Sequence, residues 1–239
     1  MNALADLRFF ASVPHTCSYL PEREARTVFV DPQQTKTNTA YSLLAQHGFR
    51  RSGDEIYTPH CDGCDECVSV RVDVQQFHLR RIHKRTLKRN ADLSIDIAPA
   101  RFDQQHFELY LRYQQARHGD SSMAEHDADE YRDFLLSSWS DTWLLEMRLD
   151  QRVLGVGVLD RLDDGWSCVY TFFEPDASAR SLGGLAVLKA IEHARQTMQP
   201  WLYLGYWIAD CTKMAYKDQY FPQQRLQHRV WQDWSGPKA

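Results

Sequence analysis

The chain has 239 residues, with 28 Lys plus Arg against 32 Asp plus Glu, 43% apolar and 12% aromatic, a composition able to bury a core and unlike that of a disordered segment. Eleven Gly and nine Pro exclude a collagen-like or linker-dominated chain, and repeats and low-complexity tracts are absent. A net charge of −4 excludes a protein coated in basic residues, so any nucleic-acid contact has to come from a local patch.

No uncharged run reaches the ~18 to 20 residues of a membrane helix; the longest, Gln196 to Ala209, is broken by Pro200. Asp6 and Arg8 interrupt any apolar stretch near the amino terminus and no basic stretch precedes them, so no signal peptide is read there and a cytoplasmic location is expected. The six cysteines then belong to a reducing compartment, and their spacing matters more than their number.

In chain order, Arg26 to Val30 reads as a strand stopped by Asp31-Pro32. Thr37 or Asn38 caps a helix through Leu43 and Leu44 that ends at Gly48. Cys61-x-x-Cys64-x-x-Cys67 follows, and then Val68, Val70, Val72 and Val74 alternate with polar residues as in a strand with one buried face. Phe77 to Leu93 reads as a basic helix. Its core, RRIHKRTLKR, holds Arg80, Arg81, Lys84, Arg85, Lys88 and Arg89 with no acid among them, and only Leu79, Ile82 and Thr86 or Leu87 make an apolar stripe.

Longer, more regular elements begin near residue 93, which places a domain boundary at 90 to 98 and divides the chain into 1–95 and 96–239. A strand at Ser94 to Ala98 leads to a helix capped by Asp103, and a second helix runs from Asp129 to Ser138. Three strands joined by short turns follow: Thr142 to Leu149, Val153 to Leu162 and Trp166 to Phe173. A helix Leu182 to Thr197, a strand Trp201 to Ile208, a helix Thr212 to Tyr220 and a strand near Leu226 to Trp231 complete the chain. The class is α+β, a small cysteine-containing N-terminal domain followed by a domain whose element order resembles the GNAT acyltransferase fold. In that fold the third strand delivers the chain to a helix N-terminus that receives the donor's phosphates. Arg180-Ser-Leu-Gly183-Gly184-Leu185 keeps the Arg and the first Gly of the acetyl-CoA turn but has Leu at its third position, which weakens coenzyme A as donor.

Three thiols in one short loop suit a soft metal or an iron–sulfur cluster, each of which needs four ligands. Cys17 is the natural fourth, with His15 and His60 as substitutes, and reduced packed thiols are the plain alternative. By three- and four-residue spacing Lys213, Tyr216 and Lys217 share a helical face; solvated lysines are the alternative there. The aromatic stretches Trp166 to Phe173 and Tyr203 to Trp207 read most simply as core.

Taken together, four segments resemble the arginyl-tRNA–protein transferase family, and over nearly the whole chain its short bacterial branch. They are Cys17-Ser-Tyr-Leu-Pro-Glu-Arg-Glu-Ala-Arg26; the tripled cysteines with Val-Ser-Val-Arg71-Val; Tyr170-Thr-Phe-Phe-Glu-Pro175 with Ser181-Leu-Gly183; and Tyr203-Leu-Gly-Tyr-Trp-Ile208 with Cys211, Lys213-Met, Tyr216-Lys217 and Pro222. The resemblance implies a cytoplasmic enzyme that moves leucine from leucyl-tRNA to the α-amino group of proteins starting with Asp or Glu, marking them for degradation. An arginyl-tRNA donor and a GNAT-type N-acetyltransferase using acetyl-CoA are the alternatives. A non-catalytic, metal-containing RNA-binding protein is the rival of another class.

Under this resemblance Tyr170, Glu174, Lys213 and Tyr216 are the catalytic candidates, and Arg180, Gly183 and Lys217 the substrate-binding ones. Arg80, Arg81, Lys84, Arg85, Lys88 and Arg89 would bind tRNA. Transfer itself calls for no cofactor. An iron–sulfur cluster or zinc at Cys17, Cys61, Cys64 and Cys67 is the possible group, although the family's eukaryotic members carry a Cys-x-x-Cys pair where this chain has Cys17 alone. Neither a membrane nor DNA is an expected partner.

Overall fold

The computed structural model describes residues 7–118 and 122–237; Asp6, used above, lies outside them. The N-terminal part holds β1 (Phe9–Ala11), β2 (His15–Thr16), β3 (Glu24–Ala25), β4 (Thr27–Val30), α1 (Asn38–Gln46), β5 (Arg50–Ser52) and β6 (Glu55–Pro59). Strands β1, β4, β6 and β5 form a small antiparallel sheet in that order, and β2 pairs with β3 alone. Thr37 is the cap of α1, its hydroxyl accepting from the Ala40 N–H, and Gly48 leaves the helix at φ +90°, a conformation that costs glycine least.

The rest comprises β7 (Val68–Asp73), α2 (Arg81–Arg89), β8 (Ser94–Pro99), α3 (Gln104–His118), α4 (Ala128–Leu135), β9 (Thr142–Leu149), β10 (Arg152–Leu162), β11 (Gly165–Phe173), α5 (Leu182–Gln196), β12 (Trp201–Trp207), α6 (Thr212–Ala215), β13 (Gln223–Gln227) and β14 (Val230–Trp234). Eight strands make one sheet in the order β14-β13-β7-β12-β11-β10-β9-β8. Asp103 accepts from the backbone N–H groups of Gln105 and His106 to open α3, as expected. Asp127 and Glu130 form a reciprocal capping box that opens α4 one residue earlier than expected.

Three findings revise the expected layout. The basic helix is shorter, Arg81 to Arg89. The final strand is a hairpin, turned by His228 and Arg229 at φ 50° and 64°. Strand β7 belongs to the large sheet, antiparallel to both β12 and β13, so residues from both sides of the expected 95/96 division build one sheet.

Alternation along the strands sorts the core onto two faces. Leu182, Leu185, Leu188 and Ile191 of α5 pack on Val70, Val72, Leu154, Trp166, Leu202 and Leu204, each fully buried side chain contributing about 1.5–3 kcal/mol. Leu109 and Tyr110 of α3 and Tyr131 and Leu135 of α4 cover the opposite face over Val156, Val158 and Phe172. That same face continues to Tyr203, which packs with Tyr41 and Leu44 of α1. A fully buried ion pair fastens β5 to it: the Arg51 guanidinium donates to both Asp160 oxygens at 2.7 and 2.8 Å, and Thr142 Oγ1 donates to the same carboxylate at 2.8 Å.

Candidate active site

Strands β11 and β12 are parallel neighbours for only three residue pairs, Gly165 to Ser167 against Trp201 to Tyr203. Beyond them the strands part. Gly165 to Ser167 are buried, whereas Cys168 to Thr171 are half-exposed, so the diverging strands mark the candidate cleft. Strand separation leaves main-chain carbonyls without a ladder partner, and such groups need another donor when buried. Two cations supply it. Arg50 Nη2 donates to the Cys168 carbonyl of β11 at 2.7 Å, and Lys217 Nζ donates to the Tyr206 carbonyl of β12 at 2.5 Å.

Both cations are nearly buried, Arg50 at 6% and Lys217 at 5% exposure, and among the described residues neither pairs with a carboxylate. Burial pulls the Lys217 amine down to about 7, and the Arg50 charge adds to that. Gly205, at φ +81°, lets the Arg50 guanidinium lie against the β12 backbone. Arg50 therefore carries the standing positive charge here, while Lys217, partly neutral at pH 7, takes up its full charge when an anion arrives to pair with it.

Aromatic rings line the way in. Tyr170 on β11 accepts a hydrogen bond from Gln114 Nε2 at 3.0 Å and packs edge-on to Phe134. Tyr113 meets Phe173 with centroids 5.1 Å apart, and Arg117 lies over both rings. At the start of α5 the Phe173 ring flanks Gly183 and the Tyr220 hydroxyl flanks Gly184, where a Cβ would stand 3.7 and 3.4 Å away respectively.

The basic helix is bolted to this end of the cleft. Arg89 donates to the Ala179 carbonyl and Ser181 Oγ, and Asn90 Nδ2 donates to the Arg180 carbonyl. Arg180 itself makes a two-point ion pair with Asp92, 2.9 Å on each arm, which holds the Asp92 carboxyl below the usual carboxylate range. Arg81, Lys84, Arg85 and Lys88 stay exposed, leaving a cationic surface next to the cleft.

Several expected site residues do other work. Glu174 is 3% exposed and is held by Arg112 at 2.6 Å and Arg152 at 3.2 Å; it braces the exit of β11. Arg180 is engaged by Asp92, and Arg80 donates to the Gln219 carbonyl while covering the Phe221 ring. The helix expected to align Lys213, Tyr216 and Lys217 ends at Ala215 and continues as a 3-10 turn, Tyr216 to Gln219. The tighter turn puts Lys217 inside and leaves Lys213 and Tyr216 outside. Sequence reasoning missed Arg50. Its only local sign is the doublet Arg50-Arg51 after Phe49, with no acid before Asp54.

Burial pushes the Cys67 thiol up to about 12, and Cys17, Cys61 and Cys64 add to that. Cys17 Sγ accepts from the Leu20 N–H, Cys61 Sγ from the Arg26 N–H and Cys64 Sγ from Arg23 Nη1. Cys61 Sγ in turn donates to the Arg26 carbonyl, as a thiol and not a thiolate does. Among the described residues no three Cys, His, Asp or Glu side chains are disposed to hold a metal ion, and no step of the chemistry below runs through one.

A half-open strand pair with a glycine-flanked helix start beside it and a cationic helix alongside defines an acyl-transfer scaffold. The family models agree with that class: arginine-tRNA-protein transferase, N terminus, matches residues 15–85, and the C-terminus model matches 105–227. The chain belongs to this family. Aspartate/glutamate leucyltransferase of Alcanivorax borkumensis is 46% identical over 99% of this chain and 98% of its own length. The protein of the same name from Teredinibacter turnerae is 48% identical over 97% of this chain and 96% of its own. Among solved structures, the C-terminal domain of a putative lysylphosphatidylglycerol synthetase from Agrobacterium fabrum has a TM-score of 0.44 at 15% identity, covering 60% of this chain and 47% of that one. L-PGS from Bacillus licheniformis gives 0.45 at 9%, covering 85% and 69%.

Proposed function

We propose that this enzyme moves leucine from leucyl-tRNA to the α-amino group of proteins that begin with Asp or Glu. The observation that carries the reading is the pair of buried basic side chains, Arg50 and Lys217, where β11 and β12 part, neither of which makes an ion pair with a carboxylate among the described residues. An acceptor whose first residue is Asp or Glu brings the missing carboxylate, and its amine arrives with it.

The chemistry asks little of the protein. An aminoacyl ester is activated, and an α-amino group with a pKa of roughly 7.7–8.0 is partly neutral at neutral pH. The amine nitrogen bonds to the leucyl carbonyl carbon, and the bond from that carbon to the ribose oxygen breaks. The tRNA hydroxyl leaves with a proton and the ammonium formed on attack loses one. Rate then comes from holding amine and ester in attack geometry and from stabilising the oxyanion between them. In this reading the hydroxyl of Tyr170, on the half-exposed part of β11, donates to that oxygen.

The tRNA acceptor end reaches the cleft along α2, whose exposed Arg81, Arg85 and Lys88 follow phosphates, and past the start of α5. The test is incubation with radiolabelled leucyl-tRNA and an Asp-starting peptide, beside labelled acetyl-CoA and the same peptide. Labelled leucine on the peptide is the expected result. Acetylation of the peptide without leucine transfer would replace this reading with the coenzyme-A one.

A further inference from the structure

Arg80 belongs to the basic stretch, yet it is half-buried where Arg81, Lys84, Arg85 and Lys88 are exposed. It is the residue that opens α2, a position best served by Ser, Thr, Asp or Asn and one where the helix dipole opposes a positive charge. Its side chain runs instead to the turn that carries Lys217. Nη2 donates to the Gln219 carbonyl at 2.8 Å, and the guanidinium lies over Phe221, 4.3 Å from the ring centre. His83 secures this reach from both sides. Its Nδ1 accepts from the Arg80 N–H at 3.2 Å, and its ring lies flat on Tyr220, with 5.3 Å between centroids and 6° between planes.

The turn needs such holds. Tyr216 to Gln219 is a single 3-10 turn, too short to stand alone. It also keeps a lysine at 5% exposure, with Nζ on the Tyr206 carbonyl, and burying that amine works against it. Among the described residues, two side chains from outside the turn hold its backbone. Arg80 takes the carbonyl of its last residue, and Gln223 Nε2 donates to the Lys217 and Tyr220 carbonyls at 3.1 and 2.9 Å.

We propose that Arg80 is a positioning residue for the acceptor site: it fixes the turn that presents Lys217 to the acceptor's acidic side chain, and it is not a contact for tRNA phosphates. His83 serves the same end by fixing Arg80 and Tyr220. The inference rests on the reading above, in which Lys217 meets that side chain and the exposed cations of α2 meet tRNA.

Arg80→Met keeps an apolar stem over Phe221 and loses the donor. It is expected to raise the acceptor KM and to shrink the preference for Asp over Asn in kcat/KM by about fivefold or more, since misplacing a contact by about 1 Å can cost up to roughly 100-fold. Its tRNA affinity and its slope of log K against log salt should match wild type. Arg80→Lys returns a donor and should return most of the preference. In the Lys217→Met background, Arg80→Met should remove no further preference, as required of a residue acting through another. Arg85→Glu should show the opposite pattern, a salt slope flatter by roughly 0.7–0.9 with the Asp preference intact.

Urea midpoints establish that each variant is folded in the assay. Where Arg80→Met is not, His83→Phe, which keeps a ring on Tyr220 and removes the acceptor for the Arg80 N–H, should shrink the Asp preference at an unchanged salt slope. A slope flattened in Arg80→Met with the Asp preference whole would return Arg80 to the tRNA surface and overturn the proposal. So would a loss of preference that adds to that of Lys217→Met. A wild type that moves no leucine, or uses Asp and Asn equally, would instead end the parent reading, and this inference with it.

Discussion

Asp160→Ala is a severe test of how the N-terminal sheet is held to the large one. Both partners of the Arg51–Asp160 pair have fully buried side chains, and the carboxylate takes three donors, two from Arg51 and one from Thr142. Removing it strands a guanidinium whose remaining acceptors are the Gly53 and Leu135 carbonyls and the Thr142 hydroxyl, the last two at 3.4 Å. Breaking one side of such a pair costs about 3–5 kcal/mol. Against a total stability of about 5–15 kcal/mol, that is a large share. At roughly 2–4 °C per kcal/mol for a chain of this size, the melting temperature should drop by about 6–20 °C. The double variant Arg51→Met with Asp160→Leu removes both charges and should lose less than half as much, because no ion is left unpaired. Urea unfolding of wild type, single and double variants, with m-values compared, gives the three numbers. A single-variant loss under about 1 kcal/mol, or a double variant worse than the single, would refute the reasoning. Arg50 sits beside Arg51 on the three-residue β5, so the single variant should also transfer leucine more slowly where it is still folded.

Replacing Arg81, Arg85 and Lys88 with Glu should weaken tRNA binding and flatten the slope of log K against log salt by roughly 0.7–0.9 per lost phosphate contact; an unchanged slope would place the RNA elsewhere. Burial lowers the pKa of His83, with Arg80 adding to it, and burial alone lowers that of His193. The unfolded chain therefore binds more protons below about pH 6.5, and the urea midpoint should fall between pH 7 and pH 5.5. A midpoint that rises or holds over that range would contradict the assignment. Because no three Cys, His, Asp or Glu side chains are disposed to hold an ion among the described residues, anaerobically purified protein is expected to carry neither zinc nor a cluster absorbance; a stoichiometric metal that Cys64→Ser loses would contradict that geometry.

Local chemistry made much of the fold legible. Thr37 and Asp103 cap the helices they were expected to cap, the β9-β10-β11 meander followed by α5 and β12 is as read, and the alternating valines mark β7. What the valines do not encode is the strand's partner, because a buried face is the same whichever neighbour covers it. The turn of the last hairpin was hidden for another reason. His228 and Arg229 both adopt positive φ without the Asn or Gly that usually announces such a turn. At the site, Glu174, Arg180 and Lys217 carried charge in the sequence, but only the fold shows that two are engaged by opposite charges and the third is buried. Arg50 was invisible for the same reason: its importance lies in the Cys168 carbonyl, 118 positions away.

The central claim is that Arg50 and Lys217 receive the acceptor's acidic side chain, and an acceptor series measures it directly. Peptides identical except for a first residue of Asp, Glu, Asn or Gln are given to the enzyme with labelled leucyl-tRNA, and kcat/KM is recorded for wild type, Lys217→Met and Arg50→Gln. A charge-assisted contact of about 1.5–3 kcal/mol predicts that wild type prefers Asp over Asn by roughly 10- to 100-fold. Each variant should shrink that preference mainly by losing activity on Asp and Glu. Equal use of Asp and Asn by the wild type, or a preference left whole in both variants, would contradict the account.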